Sequence, residues 1–288
     1  MPELPEVETV VRTLRSPLVG RTIAHTQVAK GNVVSGSAAG LSRALCGRRI
    51  TAVDRRAKNI LISLEGKPTG RGPARTGRGE SGGPLLRVHL GMTGKLLFFP
   101  PRAHARTRFL CVRFRLEGGG SLVYDDVRRF GRIEVLERSA WTGRERLIGP
   151  EPLDPTYGAE TLHAALGTSR SPVRSWLLDG RKVAGIGNIY ANEALFLAGV
   201  RPMRAANRID NAEAARLHEG IRRSLTRAIE LGGTTLRDYV DADGRPGQYA
   251  ENLSVYGREG RPCPTCEDLI ERTVFGGRSA FFCPTCQS

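Results

Sequence analysis

The order of secondary-structure signals along the chain is the feature that most constrains its fold. From Ile23 to Val135, short alternating or β-branched runs follow one another, separated by Gly and Pro. After about Glu137 the apolar residues recur at helical spacing instead. Strands that precede helices, without alternating with them, predict an α+β chain that begins with antiparallel sheets in a sandwich or barrel. A boundary between the two parts is predicted near Leu136–Ser139.

Individual runs carry these signals clearly. Strands are predicted at RRITAV, NILISL, LLRVHL, KLLFF, FLCVRFRL, SLVYD and RIEVL, and helices at TLHAALG, VRSWLLDGRKV, NIYANEALFLAGV and AEAARLHEGIRRSLTRAIELG. A further helix is predicted from Pro5, because Val7, Val10, Val11 and Leu14 form one apolar stripe. A buried helix at this place would hold the N-terminus in position, which is unusual for a chain end.

One stretch interrupts the strands. Gly66–Pro84 reads GKPTGRGPARTGRGESGGP and has almost no apolar residue. Its Gly, Pro and Arg content is typical of a flexible loop inserted between two strands. A solvated insert is favoured over a segment whose arginines contact DNA phosphates.

The charge balance limits the class of partner. Lys and Arg number 44 against 29 for Asp and Glu, which gives a formal net charge of +15. Such an excess favours a polyanion, and nucleic acid is the usual one. No apolar run approaches the roughly 20 residues that cross a bilayer, and the N-terminus lacks a signal-peptide pattern. We expect a soluble, intracellular protein without a membrane partner.

Four cysteines near the end of the chain have the spacing of a metal site. Cys263 and Cys266 form one CxxC pair, and sixteen residues later Cys283 and Cys286 form a second. Two such pairs predict a tetrahedral Zn²⁺ site, structural because no coordination position is left open. Two disulfides are the alternative, disfavoured in a reducing compartment. Cys46 and Cys111 are predicted to be core residues.

Two shorter patterns point to anions. Between the cysteine pairs, LIERTVFGGRSAFF predicts two strands around a Gly276–Gly277 turn, with Arg278 beside the turn. In AGIGNIYANEALF, glycines precede a helix that Asn188 is predicted to cap, and such a turn presents backbone N–H groups to an anion. Each pattern alone is weak, because a lone arginine is usually solvated and glycine before a helix is usually a turn.

The first residues raise a chemical question. Met1 is removed from most proteins whose second residue is small, and Pro2 would then expose a secondary amine beside the carboxylate of Glu3. An α-amino group has a pKa of about 7.7–8.0 against about 10.4 for lysine, so far more of it is neutral near pH 7. A neutral amine is a nucleophile, but by itself this could equally be an ordinary chain end.

A series of motifs, in order, resembles the formamidopyrimidine-DNA glycosylases, bacterial enzymes that remove oxidised purines from DNA. The series covers nearly the whole chain, and it runs PELPEVE, RRAK, HLGMTG, DVRRFGR, GPEPL, AGIGNIYANE, GGTTLRDY, VYGREGRPC and the cysteine pairs. The chain departs from the family at three places. These are the insert, Asn59 where an aromatic residue is common, and Val127 where proline is common.

The resemblance implies a fold and an activity. We expect an N-terminal antiparallel β-sandwich with flanking helices at 1–137, a helical domain with a helix–two-turn–helix motif at 138–253, and a zinc-pinned hairpin at 254–288. DNA would lie between the two main domains. The implied enzyme is a monomer of the bacterial cytoplasm that binds double-stranded DNA with oxidised bases or abasic sites. It would excise the base and nick the strand by β,δ-elimination.

The resemblance also implies roles for individual residues. Pro2 would be the nucleophile, Glu3 the acid and base, Lys58 the proton donor for β-elimination, and Arg278 the phosphate ligand that assists δ-elimination. The residues expected to contact DNA or to fill the gap left by the extruded base are Met92, His104, Arg128, Phe130, Arg170, Arg174 and Asn188. The segment Leu231–Gly244 matches the loop that closes over that base.

Three other functions compete with this one. The sister branch of the family removes oxidised pyrimidines with the same Pro2, Glu3 and finger, although PELPEVE and GGTT favour the purine branch. A catalytically silent DNA-binding protein would share the helix–two-turn–helix motif, but it would not need Pro2, Glu3, Lys58 and Arg278 together. An RNA-binding zinc ribbon would explain the charge and the cysteines but not the N-terminus.

Overall fold

A computed structural model of the chain describes residues 1–65, 83–103 and 107–288. The described residues divide into two compact units. The first comprises residues 1–2, 6–146 and 235–247, and the second comprises residues 3–5, 147–234 and 248–288. The expected domain limits at 137/138 and 253/254 stay a prediction.

The first unit contains strands with a few helices. In chain order the elements are α1 (Leu4–Leu18, whose first two residues belong to the second unit), β1 (Thr22–Val28), α2 (Ala38–Leu45), β2 (Arg48–Arg56), β3 (Asn59–Leu64), β4 (Leu85–His89), β5 (Lys95–Phe99), β6 (Leu110–Leu116), β7 (Ser121–Asp125), β8 (Arg132–Leu136) and α3 (Arg138–Glu145). Every pairing between these strands is antiparallel, in the order β5-β7-β6-β1-β2-β3-β4-β8.

The two central strands of the sheet are joined by few residue pairs, and the sheet surrounds one core. β1 and β2 pair through only Thr22↔Arg49 and Ile23↔Arg48. Strands on both sides of this link bury side chains in the same cluster, together with the apolar stripe of α1. Val7, Val10 and Val11 of that stripe are at most 1% exposed, which confirms the predicted orientation of the helix. The predicted antiparallel sheet is therefore confirmed.

The second unit contains helices and a hairpin. Its elements are α4 (Ala159–Gly167), α5 (Val173–Leu178), α6 (Asn188–Ala198), α7 (Asn211–Glu230), β9 (Glu271–Phe275) and β10 (Arg278–Phe282). α7 begins with a capping box, in which Asp210 and Glu213 each accept the other's backbone N–H. α6 is buried on nearly all sides, so it forms the centre of this unit.

The hairpin forms as the sequence predicts. Gly276 and Gly277 have φ of +58° and +71°, the left-handed values that a two-residue turn with both residues at positive φ requires. Arg278 pairs with Phe275 across this turn.

Some predictions require correction. Cys111 is buried, but Cys46 is exposed at the end of α2, where its thiol lies 2.9 Å from the carbonyl of Ala24. It is a surface residue because α2 turns only Leu41 and Leu45 to the core. The predicted flexible insert lies at 66–84, of which 66–82 fall outside the described residues. Among the described helices, none combines the length and the apolar character that a bilayer span requires.

Candidate active site and nucleic-acid interface

The residues that follow Met1 are buried, and a backbone hydrogen bond holds them in position. Pro2 is buried, whereas Met1 is 51% exposed. Glu3 is 3% exposed, and the N–H of Leu4 donates to the carbonyl of Gly185 at 3.0 Å. The ends of most chains are poorly ordered unless contacts tie them down. Here the buried side chains and the backbone bond give the terminal residues a defined position.

The carboxylate of Glu3 occupies the N-terminus of α6. Its Oε2 accepts from the N–H of Gly187 at 2.8 Å and of Tyr190 at 3.4 Å, and its Oε1 accepts from Ile189 at 2.9 Å. A Cβ on Gly187 would lie 2.3 Å from the Glu3 carboxyl carbon, so only glycine leaves room. The helix therefore presents its free N–H groups to a carboxylate of the same chain.

This contact corrects one prediction. Asn188 was predicted to cap the helix, but α6 begins at Asn188 itself and the N-cap residue Gly187 makes no side-chain bond. The N–H groups that a cap would satisfy are taken by Glu3. The anion that the glycine turn was predicted to bind is, in this structure, that carboxylate.

The side chain of Asn188 belongs to a basic cluster instead. Its Oδ1 accepts from Arg174 at 2.5 Å, and its Nδ2 donates to the carbonyl of Ser279 at 3.0 Å. Arg174 also donates to that carbonyl at 2.8 Å. Arg174 is only 1% exposed, so in this conformation it orients Asn188 and does not itself reach solvent. Its contact with DNA stays a prediction.

The cluster carries uncompensated positive charge. Burial, and then the nearby charge of Arg278, lower the pKa of Arg174. Among the described residues, neither arginine forms an ion pair with a carboxylate. Two neighbouring guanidinium groups without a counter-charge are suited to bind an anion such as phosphate.

The hairpin is held against α6 by matched spacings. Asn188 and Asn192 lie one turn apart, about 6 Å along a helix, and Ser279 and Phe281 lie about 6.7 Å apart along a strand. Asn188 donates to the carbonyl of Ser279, and Asn192 accepts from the N–H of Phe281 at 2.8 Å. Arg278 precedes this contact directly and is exposed. The exposed guanidinium is therefore carried by a backbone of fixed position.

The four predicted metal ligands come together. The sulfur atoms of Cys263, Cys266, Cys283 and Cys286 all lie within 4.8 Å of one another. Tetrahedral Zn–S bonds of about 2.3 Å place sulfurs about 3.8 Å apart, and the Cys263–Cys286 and Cys266–Cys283 pairs lie at 3.8 and 3.4 Å. The N–H groups of Thr265 and Cys286 donate to Cys263 and Cys283, as in a thiolate site. These residues fit one structural zinc ion.

Lys58 lies at the tip of the β2–β3 hairpin, in the first unit. Its turn neighbour Ala57 has φ of +53°, a strained value for a residue with a Cβ. Arg55 holds the turn, because it donates to the carbonyl of Ala57 at 3.1 Å and pairs with Glu8 at 2.9 Å. Burial, and the charges of Arg87 and Lys58, lower the pKa of His89 to about 4. The imidazole near Lys58 is therefore neutral at pH 7.

Two loops of the first unit expose the side chains predicted to enter the duplex. Met92, between β4 and β5, is 42% exposed, and Phe130, between β7 and β8, is 55% exposed. The guanidinium of Arg128 lies 4.6 Å from the centre of the Phe130 ring. Arg129 between them has φ of +56°. Both loops therefore present a large apolar side chain to solvent.

The remaining predicted positions lie in three separate segments of the chain. Arg170 is exposed just before α5. His104 lies outside the described residues. Of the segment predicted to close over a base, the part from residue 235 onward packs in the first unit, where the carbonyl of Ala242 accepts from Phe98 and Tyr239 donates to the carbonyl of Glu6. Its closure stays a prediction.

Three residues hold this arrangement through contacts that sequence reasoning did not predict. Gly187 makes room for Glu3. Buried Glu193 accepts N–H bonds from residues 254–256, which lead to the finger. Asp126 is fully buried and bonds both exposed loops. The first two lie within AGIGNIYANE and the third begins DVRRFGR, so the motifs marked the places without indicating the contacts.

Comparison with known proteins covers the whole chain. Three family models match: the formamidopyrimidine-DNA glycosylase N-terminal domain at residues 1–133, its H2TH domain at 148–240, and the zinc finger found in FPG and IleRS at 260–288. Formamidopyrimidine-DNA glycosylase of Chloroflexus aurantiacus is 40% identical over 100% of this chain and 98% of its own.

Solved structures agree with the sequence relatives. The MutM (Fpg) protein of Thermus thermophilus has a TM-score of 0.84 at 39% identity, covering 99% of this chain and 98% of its own. A Lactococcus lactis Fpg variant in complex with DNA containing Fapy-dG has a TM-score of 0.87 at 30% identity over all of both chains.

Proposed function

The chain belongs to the formamidopyrimidine-DNA glycosylase family, and we propose how its own residues perform the reaction. It is a bifunctional DNA glycosylase of base-excision repair, which excises oxidised purines such as 8-oxoguanine and formamidopyrimidines and then nicks the abasic strand. The fixed N-terminus, with Glu3 accepting the N–H groups of Gly187, Ile189 and Tyr190 at the start of α6, is the observation that carries the proposal.

Pro2 is the nucleophile. After removal of Met1, its secondary amine attacks C1′ of the damaged nucleotide as the bond to the base breaks. The nitrogen then loses its proton, and the C1′–O4′ bond of the sugar ring breaks as its oxygen takes up a proton. The result is an iminium ion, which keeps its charge without holding a proton. That charge makes the hydrogen on C2′ acidic, so the 3′ phosphate leaves by β-elimination. The buried position of Pro2 supports this role, because an attacking atom must be held within a fraction of an ångström.

Glu3 and Lys58 move the protons. Glu3 follows the nucleophile directly in the chain. Its carboxylate takes the proton from the attacking Pro2 nitrogen and then, as the carboxylic acid, gives it to the opening sugar or the departing base. Lys58 donates a proton during β-elimination. The lowered pKa of His89 favours this, because a neutral imidazole adds no further positive charge next to the ammonium group.

Phosphate is bound by the basic cluster of the second unit. Arg278 binds a backbone phosphate beside the lesion and assists δ-elimination, and Asn188 binds the neighbouring backbone. Arg174 supports both, because it positions the amide of Asn188 and adds its charge to that of Arg278. Arg170 and His104 contact phosphates farther along the strand.

Met92, Arg128 and Phe130 fill the gap that the extruded base leaves. An unstacked, unpaired hole costs a few kcal/mol, and exposed apolar side chains offset this cost when the stack covers them. We also propose that the enzyme acts as a monomer in the bacterial cytoplasm on double-stranded DNA, without a membrane partner, and that domain limits follow 1–137, 138–253 and 254–288.

Borohydride trapping tests the nucleophile. We expect the processed protein to form a stable covalent adduct with DNA containing 8-oxoguanine, mapped by peptide sequencing to Pro2 with Met1 absent. A protein whose N-terminus is extended by a tag should form no adduct, since Pro2 is then an amide. A matched protein with the same tag at the C-terminus is the control.

Two results would contradict the proposal. Normal trapping by the N-terminally extended protein would make a lysine the nucleophile, with Lys58 the first candidate. Faster release of thymine glycol than of 8-oxoguanine would place the enzyme in the pyrimidine branch.

A further inference from the structure

A fully buried carboxylate lies beneath the two loops that expose Met92, Arg128 and Phe130. Asp126 is 0% exposed. Its Oδ1 accepts from the hydroxyl of Thr93 at 2.6 Å, and its Oδ2 accepts from the hydroxyl of Tyr124 at 3.0 Å. Thr93 follows Met92 directly, so the carboxylate is bonded to the first loop.

The same carboxylate bonds the second loop at both ends. Oδ1 accepts from the N–H of Arg128 at 3.2 Å, and Oδ2 accepts from the N–H of Gly131 at 3.0 Å. The N–H of Arg128 also lies 3.2 Å from the hydroxyl oxygen of Thr93. The carboxylate of Asp126 thus joins the second loop to Thr93, which lies 33 positions before Asp126 in the chain.

Close packing leaves the two loops little freedom around this carboxylate. A Cβ on Gly91 would lie 2.5 Å from the nitrogen of Gly131, and a Cβ on Gly94 would lie 2.3 Å from the hydroxyl of Tyr124. The backbones of the two loops therefore touch. Burial, and then the charge of Asp126, raise the pKa of Tyr124, so its hydroxyl remains a donor.

We propose that Asp126 is a positioning residue that fixes Met92 relative to Arg128 and Phe130, so that the three side chains enter the duplex as one wedge. This rests on the proposed function of these side chains. Met92 and Phe130 are exposed, and the contact between Arg128 and Phe130 joins two residues of the same loop. The separation of the two loops is therefore set by the bonds of Asp126 to their backbones. A misplacement of about 1 Å, even far from the reacting atoms, can remove much of the rate of excision.

Two substitutions loosen the connection in different ways. Thr93→Val keeps the shape of the side chain and removes the hydroxyl that bonds Asp126. Asp126→Asn keeps the volume but replaces one acceptor oxygen by a donor, so an N–H of the second loop loses its partner. If Asp126→Asn fails to fold, Thr93→Val still tests the inference, since Thr93 is only partly buried.

Each substitution has a matched control in the same unit. Thr26→Val removes a buried threonine hydroxyl that has no hydrogen-bond partner. Asp125→Asn alters the adjacent carboxylate, which is 7% exposed and accepts from the N–H of Phe109 at 2.8 Å, with neither loop involved.

The experiment compares single-turnover excision of 8-oxoguanine from a duplex with borohydride trapping on an abasic site in a single strand, where no base stack needs filling. We expect Thr93→Val and Asp126→Asn to slow duplex excision about tenfold or more and to leave single-strand trapping as in the wild type. The two controls should match the wild type on both substrates.

The outcomes separate the inference from the proposed function. Equal losses on both substrates would make Asp126 a general structural residue, and no loss on the duplex would remove its role; either overturns the inference. A wild-type protein that neither excises 8-oxoguanine nor is trapped would overturn the proposed function, and the wedge with it.

Discussion

Gly187→Ala should disable the enzyme through the position of Glu3 alone. Gly187 has φ of −131° and ψ of −159°, extended values that alanine adopts freely, so the backbone itself tolerates the change. The added Cβ would lie 2.3 Å from the carboxyl carbon of Glu3 and 2.5 Å from its Oε1. An ordinary contact needs at least 3.4 Å, so the carboxylate must move by about 1 Å.

The magnitude follows from that displacement. A misplacement of about 1 Å costs roughly 10²-fold in rate, which corresponds to about 2.7 kcal/mol of activation free energy. The bonds from Gly187 and Ile189 to Glu3 lengthen at the same time, which lowers the free energy of unfolding by about 1–3 kcal/mol. Glu3→Gln cannot separate these effects, because its amide nitrogen cannot accept the N–H bonds that the carboxylate accepts.

Single-turnover excision of 8-oxoguanine measures the rate, with DNA affinity and the melting temperature measured alongside. Gly158→Ala is the matched control: Gly158 is also an extended N-cap glycine of the second unit, before α4, and its added Cβ would meet nothing within 4 Å. It shares the small cost of alanine at an N-cap position. Wild-type excision by Gly187→Ala would refute the reasoning, since the carboxylate would then not need its present position.

Two further predictions concern the finger and the pH dependence. Cys266→Ser should remove the zinc and release the hairpin that carries Arg278, so DNA binding and strand cleavage should fall while the first unit stays folded; normal cleavage by verified metal-free protein would contradict this. The pKa of His89 is lowered to about 4, below the roughly 6.5 of an unfolded chain, so the unfolded state binds the proton first and stability falls as the pH drops from about 6.5 towards 4. The loss reaches about 3 kcal/mol, and urea unfolding at pH 7 and pH 5 should show a smaller difference in His89→Asn than in the wild type.

Periodicity predicted the elements that carry a strong apolar pattern and missed those that do not. Each of the seven predicted strand runs and four helical runs contains a strand or helix. β1 was not singled out, because TIAHTQV buries only two of its residues. α3 buries only Trp141, so it has no apolar stripe to detect. α2 was missed although Ser37 caps it, its side chain accepting from the N–H of Gly40. A serine before a short helix is a capping signal that is visible in the sequence.

The site was predictable as a set of residues but not as a set of contacts. The motifs named Glu3 and Asn188, yet the bond between Glu3 and Gly187 joins positions 184 residues apart. Nothing local in either segment indicates that the carboxylate would take the N–H groups that a helix cap normally satisfies. The burial of Arg174 was equally unpredictable. An arginine in a basic chain is expected at the surface as a phosphate ligand, but Arg174 is only 1% exposed.

Two buried carboxylates, those of Glu193 and Asp126, bind backbone N–H groups, and this explains where they occur. Glu193 accepts three N–H bonds from residues 254–256, and burial raises its pKa. Asp126 accepts two N–H bonds from the loop that carries Phe130. Desolvating a carboxylate offsets most of the gain from such bonds, so neither residue contributes much net stability. Removing one, however, leaves several buried N–H groups unsatisfied, at about 1–3 kcal/mol each. A carboxylate in this setting therefore allows only one position of the segment it binds, and both segments lead to residues proposed to contact DNA.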